Sequence, residues 1–386
     1  MMAAMDRRAF LRATVVGAGA VALDPLFFPR LASAACSATS PYGPMGAADA
    51  NNIRLPAGFT SRVVAVSGQV VAPSTYVWHS APDGGATFSL SDGGWAYVSN
   101  CERSAPNGGA ASISFASDGT ITDARRILTG TSINCAGGPT PWGTWLSCEE
   151  VDRGFVYECD PLTMNAVQRP ALGRFRHEAA AVDPERQLVY LTEDESDGRL
   201  YRVRYSTPAN LTSAGALQVA VVDGTGRVSW QPIPDPAATT TKTRYQVPEA
   251  TIFKGGEGAW YGHNALHFTT KGDSRVWRLD GTTKTLAVVY DNDTSCNPVL
   301  TGVDNVTVHR SGDVFVAEDG GNLQLVILST TGGVAPFLKV MRQKTSELAG
   351  PAFSPDGNRL YFSSQRGAPS GIGSGITYEI SGPFRS

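Results

Sequence analysis

The chain has little charge and no surplus of either sign. Its 386 residues include 32 Lys+Arg and 35 Asp+Glu, a formal net charge of −3, and charged residues make up 17%, against roughly 25% in an average globular chain. Near-neutrality without Lys/Arg clusters argues against a nucleic-acid binder. Beyond the N-terminal stretch, helical periodicity is scarce and no segment reaches the roughly 20 apolar residues that a membrane span needs. Histidine is scarce too. His263, His267 and His309 do not form a zinc spacing such as HExxH, and Gly84-Gly85 and Gly255-Gly256 lack the strand-before, helix-after context of a phosphate-binding loop. What the chain has is turns and core: Gly is 42, Pro is 24 and hydrophobic residues are 42%, which excludes wholesale disorder.

The first thirty-five residues read as an address. Asp6-Arg7-Arg8-Ala9-Phe10-Leu11-Arg12 forms a twin-arginine signal, about Ala13 to Leu23 forms a short apolar region, and Ala32-Ser33-Ala34 fits small-residue cleavage. The competing reading is a basic cytoplasmic terminus. Residues 1–35 are therefore expected to be a signal peptide handled by the twin-arginine export machinery. Residues 36–386 are expected to be one domain, periplasmic or secreted, monomeric and not inserted in the membrane. An oxidising compartment permits disulfides among the six Cys. Cys148 and Cys159 flank Asp152-Arg153-Gly154 almost symmetrically, so a hairpin would bring them together. A cross-strand disulfide and two free buried thiols both fit that spacing.

A repeat runs through the rest: a turn, an aromatic-centred β run, then polar or acidic residues. Gly94-Trp95-Ala96-Tyr97-Val98-Ser99-Asn100-Cys101-Glu102 is one copy and Gly143-Thr144-Trp145-Leu146-Ser147-Cys148-Glu149-Glu150 another. With Tyr97, Trp145, Tyr190, Trp277, Phe315 and Tyr361 as anchors, the intervals are 48, 45, 87, 38 and 46 residues. Most match the roughly 40 to 50 residues of a four-stranded propeller blade. The long interval holds a Pro/Thr-rich stretch, Pro232 to Thr243, that reads as a loop insertion. The expected fold is all-β, a six-bladed β-propeller; a large β-sandwich is the rival.

Ten to twenty positions before each anchor stands a polar or ligand-type residue: His79, Cys135, Glu178, Glu257, Asp304 and Glu347. The strand before the anchor would be the innermost of its blade, so these residues would line the central channel. One metal-type side chain per blade is a natural cage. Carboxylates suit Ca²⁺ and a thiolate suits a softer or redox-active ion. Ordinary polar strand ends are the plainer alternative. Glu193-Asp194-Glu195 could bind Ca²⁺ or be a solvated strand end, and His177 could orient Glu178 or be purely structural.

The segment from Asn134 through Cys135-Ala136-Gly137-Gly138-Pro139-Thr140-Pro141-Trp142-Gly143-Thr144-Trp145 to Glu150 resembles the signature of the PhoX-type alkaline phosphatase family. The resemblance continues through Gly173-Arg174-Phe175-Arg176-His177-Glu178, Glu257-Gly258, Val303-Asp304-Asn305 and Glu347-Leu348-Ala349-Gly350-Pro351, in family order from about Leu55 to the C-terminus. It implies a propeller with Ca²⁺ and Fe³⁺ in its channel, hydrolysing small phosphate monoesters at alkaline pH. It implies Cys135 as an iron ligand and Glu178, Glu257, Asp304 and Glu347 as carboxylates shared among the metals. Glu150, Glu149 and Glu102 would join the metal shell. Glu257 and Asp304 would also serve catalysis, and Arg174, with Arg176, would clamp the phosphate. The chain departs from the family in two places. Asn100-Cys101-Glu102 stands where the family often has Asn-His-Glu, and Gly255-Gly256 stands where a basic residue is usual, leaving Lys254 the nearest cation. These departures keep two other readings open: a lactonase-like calcium-dependent propeller hydrolase and a ligand-binding propeller without catalysis.

Overall fold

The computed structural model describes residues 38–207, 211, 216–343, 345–367 and 374–386. The signal-peptide expectation therefore lies outside the described residues. The chain folds as six antiparallel sheets arranged as the blades of a β-propeller. The innermost strands, in chain order, are Pro82–Ser89, Asn134–Pro139, His177–Asp183, Gly256–Gly262, Val303–Val308 and Leu348–Phe353. These define blades one to six. The ring shuts when the early strand Thr60–Val66 adds to Ile376–Ser381 and completes blade six. Blade five is widened by Ile53–Pro56 and Met45–Ala48, and blade three by a fifth strand, Val228–Pro232.

The side-chain alternation of a strand explains why each blade needs two neighbours. Successive residues point to opposite faces of a sheet, so one strand feeds two seams. In blade one, Tyr97 packs toward blade six while Val98 packs toward blade two. In blade six, Tyr361 faces blade one and Phe362 faces blade five. The buried apolar residues accordingly form clusters in each of the six seams. Tyr97 and Tyr361 stack across one seam with centroids 5.0 Å apart.

Five of the six aromatic anchors sit on the second strand of a blade, as the spacing predicted. Trp277 does not: it lies on Arg275–Asp280, the third strand of blade four, and Phe268 on Ala265–Thr270 takes the second-strand place. Spacing alone does not single out Phe268, because Trp277, the larger aromatic, stands nine residues on. The Pro/Thr-rich stretch is a connection, as expected, running from the fifth strand of blade three to a short turn of helix at Thr243–Tyr245. Cys148 and Cys159 are free and buried. Register explains why: Cys148 faces Val156, and Cys159 faces Trp145.

Candidate metal centre

The six inner strands share one irregularity at one level. Each begins with a residue paired to the end of the second strand: Pro82 with Cys101, Asn134 with Glu149, His177 with Glu193, Gly256 with Thr270, Val303 with Glu318 and Leu348 with Ser364. The ladder then slips. In blades one to five the residue just inside the slip is Asp83, Cys135, Glu178, Glu257 or Asp304. A bulge turns a side chain out of the alternation and re-aims it, here toward the axis. In blade six Ala349 still pairs with Ser363 and the slip follows it, and the acid, Glu347, stands just before the strand.

Small residues let the bulged strands crowd the axis. A Cβ on Gly84 would come within 2.5 Å of Ala136 Cα, and one on Gly258 within 2.6 Å of Asn305 Cα. Asp83-Gly84-Gly85, Cys135-Ala136-Gly137, Glu178-Ala179-Ala180 and Glu257-Gly258-Ala259 therefore share a pattern, a ligand-type residue followed by two small ones.

A second ring lies just beyond the first. The residue after each second strand donates its backbone N–H to the inner strand's approach: Glu102 to Ala81 O, Glu150 to Ile133 O, Asp194 to Arg176 O, Lys271 to Gly255 O, Asp319 to Gly302 O and Gln365 to Glu347 O, at 2.8 to 3.2 Å. Together the rings bring ligand atoms into three groups, each with its atoms within 4.8 Å of one another. They are Glu178, Glu257 and Asp304; Glu102, Cys135 and Glu150; and Asp83, Glu102 and Glu347.

These donors fit cations on physical grounds. Glu178 is fully buried, and neither carboxylate oxygen has a hydrogen-bond partner among the described residues. A buried carboxyl without a partner is costly unless a positive charge meets it. Burial first, and then repulsion from Glu257, pushes Glu178 well above the usual carboxylate range. Asp304 is raised by burial and then by Glu257, and Glu257 by burial and then by Asp194. Burial raises Asp83 to about 7, Glu150 to about 8 and Glu347 to about 9. An all-oxygen set suits a hard ion such as Ca²⁺, and the set containing the Cys135 thiol suits a softer or redox-active ion.

The sign of these shifts predicts a stability profile. A carboxyl raised on folding favours the fold fully below its unfolded value, near 4, and loses that contribution as pH climbs through the folded value. Protein kept in chelator should therefore lose melting temperature between about pH 5 and 9. A profile flat over that range would contradict the buried, crowded state of these acids.

The structure does not bring all the expected site residues together. Glu149 points off the channel: its oxygens accept the backbone N–H groups of Ser132 at 2.9 Å and Phe155 at 3.1 Å. Strand alternation is the reason, since its neighbour Glu150 takes the inward side. Glu193 and Glu318 hold loop backbone in the same way, at Arg199 N and at Thr301 N and Gln324 N, while Asp194 and Asp319 follow them into the outer ring. Arg174 is also elsewhere. It donates twice to Arg153 O and lies over the Phe155 ring at 4.0 Å. His79 is a buried structural residue against Trp78, with Nε2 2.8 Å from Asn100 O, and Asp83 takes its blade's place in the channel. His177 likewise sits against Phe175 and within 3.1 Å of Gly173 O, with burial holding it neutral at about 3.

Three cations line the mouth instead. Arg176 is 2.7 Å from Glu150, Lys271 is 2.6 Å from Glu257 and 2.8 Å from Asp194, and Arg366 pairs with Glu347. All three side chains are partly exposed. Lys271 answers the absence of a basic residue at Gly255. A Cβ there would sit 2.9 Å from Lys271 Cγ, so the stem of the lysine that follows the second strand runs through the space that a side chain at 255 would fill.

Known proteins share the fold and part of the sequence. The profile described as "Alkaline phosphatase PhoX" matches residues 92–154 and 151–283. The fold is similar to that of Pseudomonas fluorescens PhoX in complex with vanadate, a transition state analogue, at 18% identity and a TM-score of 0.71, covering 88% of this chain and 97% of that one. It is also similar, at 13% identity and a TM-score of 0.52, to XC5397, a gluconolactonase from Xanthomonas campestris, covering 89% and 99%. No curated protein matches the chain by sequence.

Proposed function

Because this chain belongs to the PhoX alkaline phosphatase family and is a propeller hydrolase of the alkaline phosphatase type, we propose that its channel holds Ca²⁺ and Fe³⁺ and hydrolyses small phosphate monoesters. The observation that carries the reading is Glu178, fully buried with both oxygens unpartnered among the described residues, beside Glu257 and Asp304. Glu178, Glu257 and Asp304 would hold one cation, Asp83, Glu102 and Glu347 a second, and Cys135 with Glu102 and Glu150 the iron. Bound there, such ions neutralise phosphate oxygens and lower the pKa of a water nucleophile. Asp304 is steadied by Asn305, whose Nδ2 donates to its Oδ1 at 2.8 Å. A carboxylate channel by itself repels a phosphate dianion, so the cations at its mouth matter for capture. Lys271, Arg176 and Arg366 are placed to meet the phosphate oxygens as it arrives, and Lys271 takes the role first expected of Arg174. We further propose export by the twin-arginine route and a monomer in the periplasm or medium. Among the described residues no helix is long and apolar enough to cross a membrane.

The direct test is p-nitrophenyl phosphate hydrolysis across pH 7 to 10, as isolated, after chelation and after calcium add-back. Alkaline turnover lost and then restored with calcium supports the reading. No turnover in folded, metal-loaded protein, or lactone turnover far above ester turnover, would overturn it. Lys271→Met should raise KM about 10- to 100-fold, the worth of one charge-assisted hydrogen bond, with a smaller fall in kcat. An unchanged KM would remove Lys271 from phosphate capture.

A further inference from the structure

The outer ring contains one neutral member. Four of its six positions are acids, one is Lys271, and the blade-six position is Gln365. Gln365 is fully buried. Its Nε2 donates to Asp83 Oδ2 at 2.5 Å and to Glu102 Oε2 at 2.7 Å. Its Oε1 accepts from Arg366, whose guanidinium also pairs with Glu347. One side chain thus touches two members of the Asp83, Glu102 and Glu347 group directly and reaches the third through one arginine.

We propose that Gln365 is the positioning residue of this cation site, which rests on the metal-centre reading above. The chemistry favours an amide over the residues found elsewhere in the ring. Asp83 comes from the inner strand and Glu102 from beyond the second strand of blade one, and their like charges repel. An amide NH₂ has two hydrogens and can give one to each carboxylate. It draws the pair together without placing a positive charge where a cation must sit. A lysine there would compete with the cation, and a fifth acid would add to the repulsion. Each carboxylate oxygen keeps lone pairs beyond the one that Gln365 uses. The amide carbonyl holds Arg366, so Glu347 is aligned from the same point. Supporting contacts of this kind typically set metal affinity within a factor of 10 to 100.

The test is Gln365→Met, which keeps the length and apolar bulk and removes both donors. Calcium binding would be followed by titration calorimetry on full-length mature protein first stripped with chelator, with melting temperatures taken in chelator and in calcium. The expected result is a Kd for calcium raised about 10- to 100-fold, with the melting temperature in chelator within a few degrees of the parent. A merely structural glutamine would lower the melting temperature in chelator and leave the calcium affinity alone. Gln365→Asn serves as a second variant if the first misfolds. It keeps the amide but withdraws it by one methylene, and its calcium affinity should also fall. Parent-like affinity in either folded variant overturns the proposal. A parent protein that takes up no calcium overturns the metal-centre reading and this inference with it, whereas a parent that binds calcium alongside a parent-like variant overturns the inference alone.

Discussion

Glu178→Gln is expected to lower phosphomonoester turnover on the order of 10³-fold or more, the scale of losing a charge-stabilising group at a reacting phosphate. The same variant is expected to be more stable than the parent in chelator at pH 8. The two effects have one cause. Glu178 is fully buried, with no partner for either oxygen among the described residues. At pH 8 the unfolded carboxyl is ionised, so folding must either add a proton or bury a charge. Burial and the nearby Glu257 both oppose the charge. Gln occupies the same volume and does neither, so the stripped protein should gain stability of a few kcal/mol, the scale of burying a poorly compensated polar group. The gain should shrink below about pH 4, where glutamate is protonated in both states. Metal content, kcat/KM and denaturant unfolding in chelator check the three parts. Parent-like activity, or a variant less stable in chelator, would refute the assignment.

Cys135→Ser is expected to remove iron and at least about 100-fold of activity, while carboxylate-only calcium binding persists. Burial, followed by Asp83, pushes the Cys135 thiol well up. A thiol so placed becomes a thiolate only when a cation takes the proton's place. Serine keeps the shape, but its hydroxyl is a far weaker acid than a thiol and a poorer ligand for iron. Iron analysis and loss of visible colour from thiolate-to-iron charge transfer are the readouts. Full iron content in the serine variant would mean that other residues hold the iron.

Much of this centre was legible because a propeller repeats itself. The anchor spacing and the polar residue upstream of each anchor, together with the family resemblance, pointed to Cys135, Glu178, Glu257, Asp304 and Glu347, and in blade one to His79. The first five stand in the channel clusters. Asp83 was missed, although Asp83-Gly84-Gly85 carries the same sign as Glu257-Gly258-Ala259: small residues after the ligand, where bulged strands crowd together. Its glycines had been weighed only as a phosphate loop. Glu149 was misread for a different reason. Two adjacent acids at a strand end cannot both face inward, and sequence alone does not say which does. Lys271 was out of reach. Its bearing on Gly255 depends on the start of one strand lying beside the end of the next, and nothing in their separation of 16 positions reveals that. The Cys148 and Cys159 spacing was compatible with a bond, but register decided against it.

The seam where Thr60–Val66 lies against Ile376–Ser381 bears on how the molecule is made. Synthesis delivers the early strand first, and its partner follows only after some three hundred residues have been added. Until then the early strand has an open edge, and blades one and six have no common face. Such distant pairings come late in folding. The Asp83, Glu102 and Glu347 group draws on both blades, so its donors meet only once the hoop is buckled. Loading of that group thus reports the final step of assembly. A chain cut short before Ile376 should have every other blade available and still lack this site.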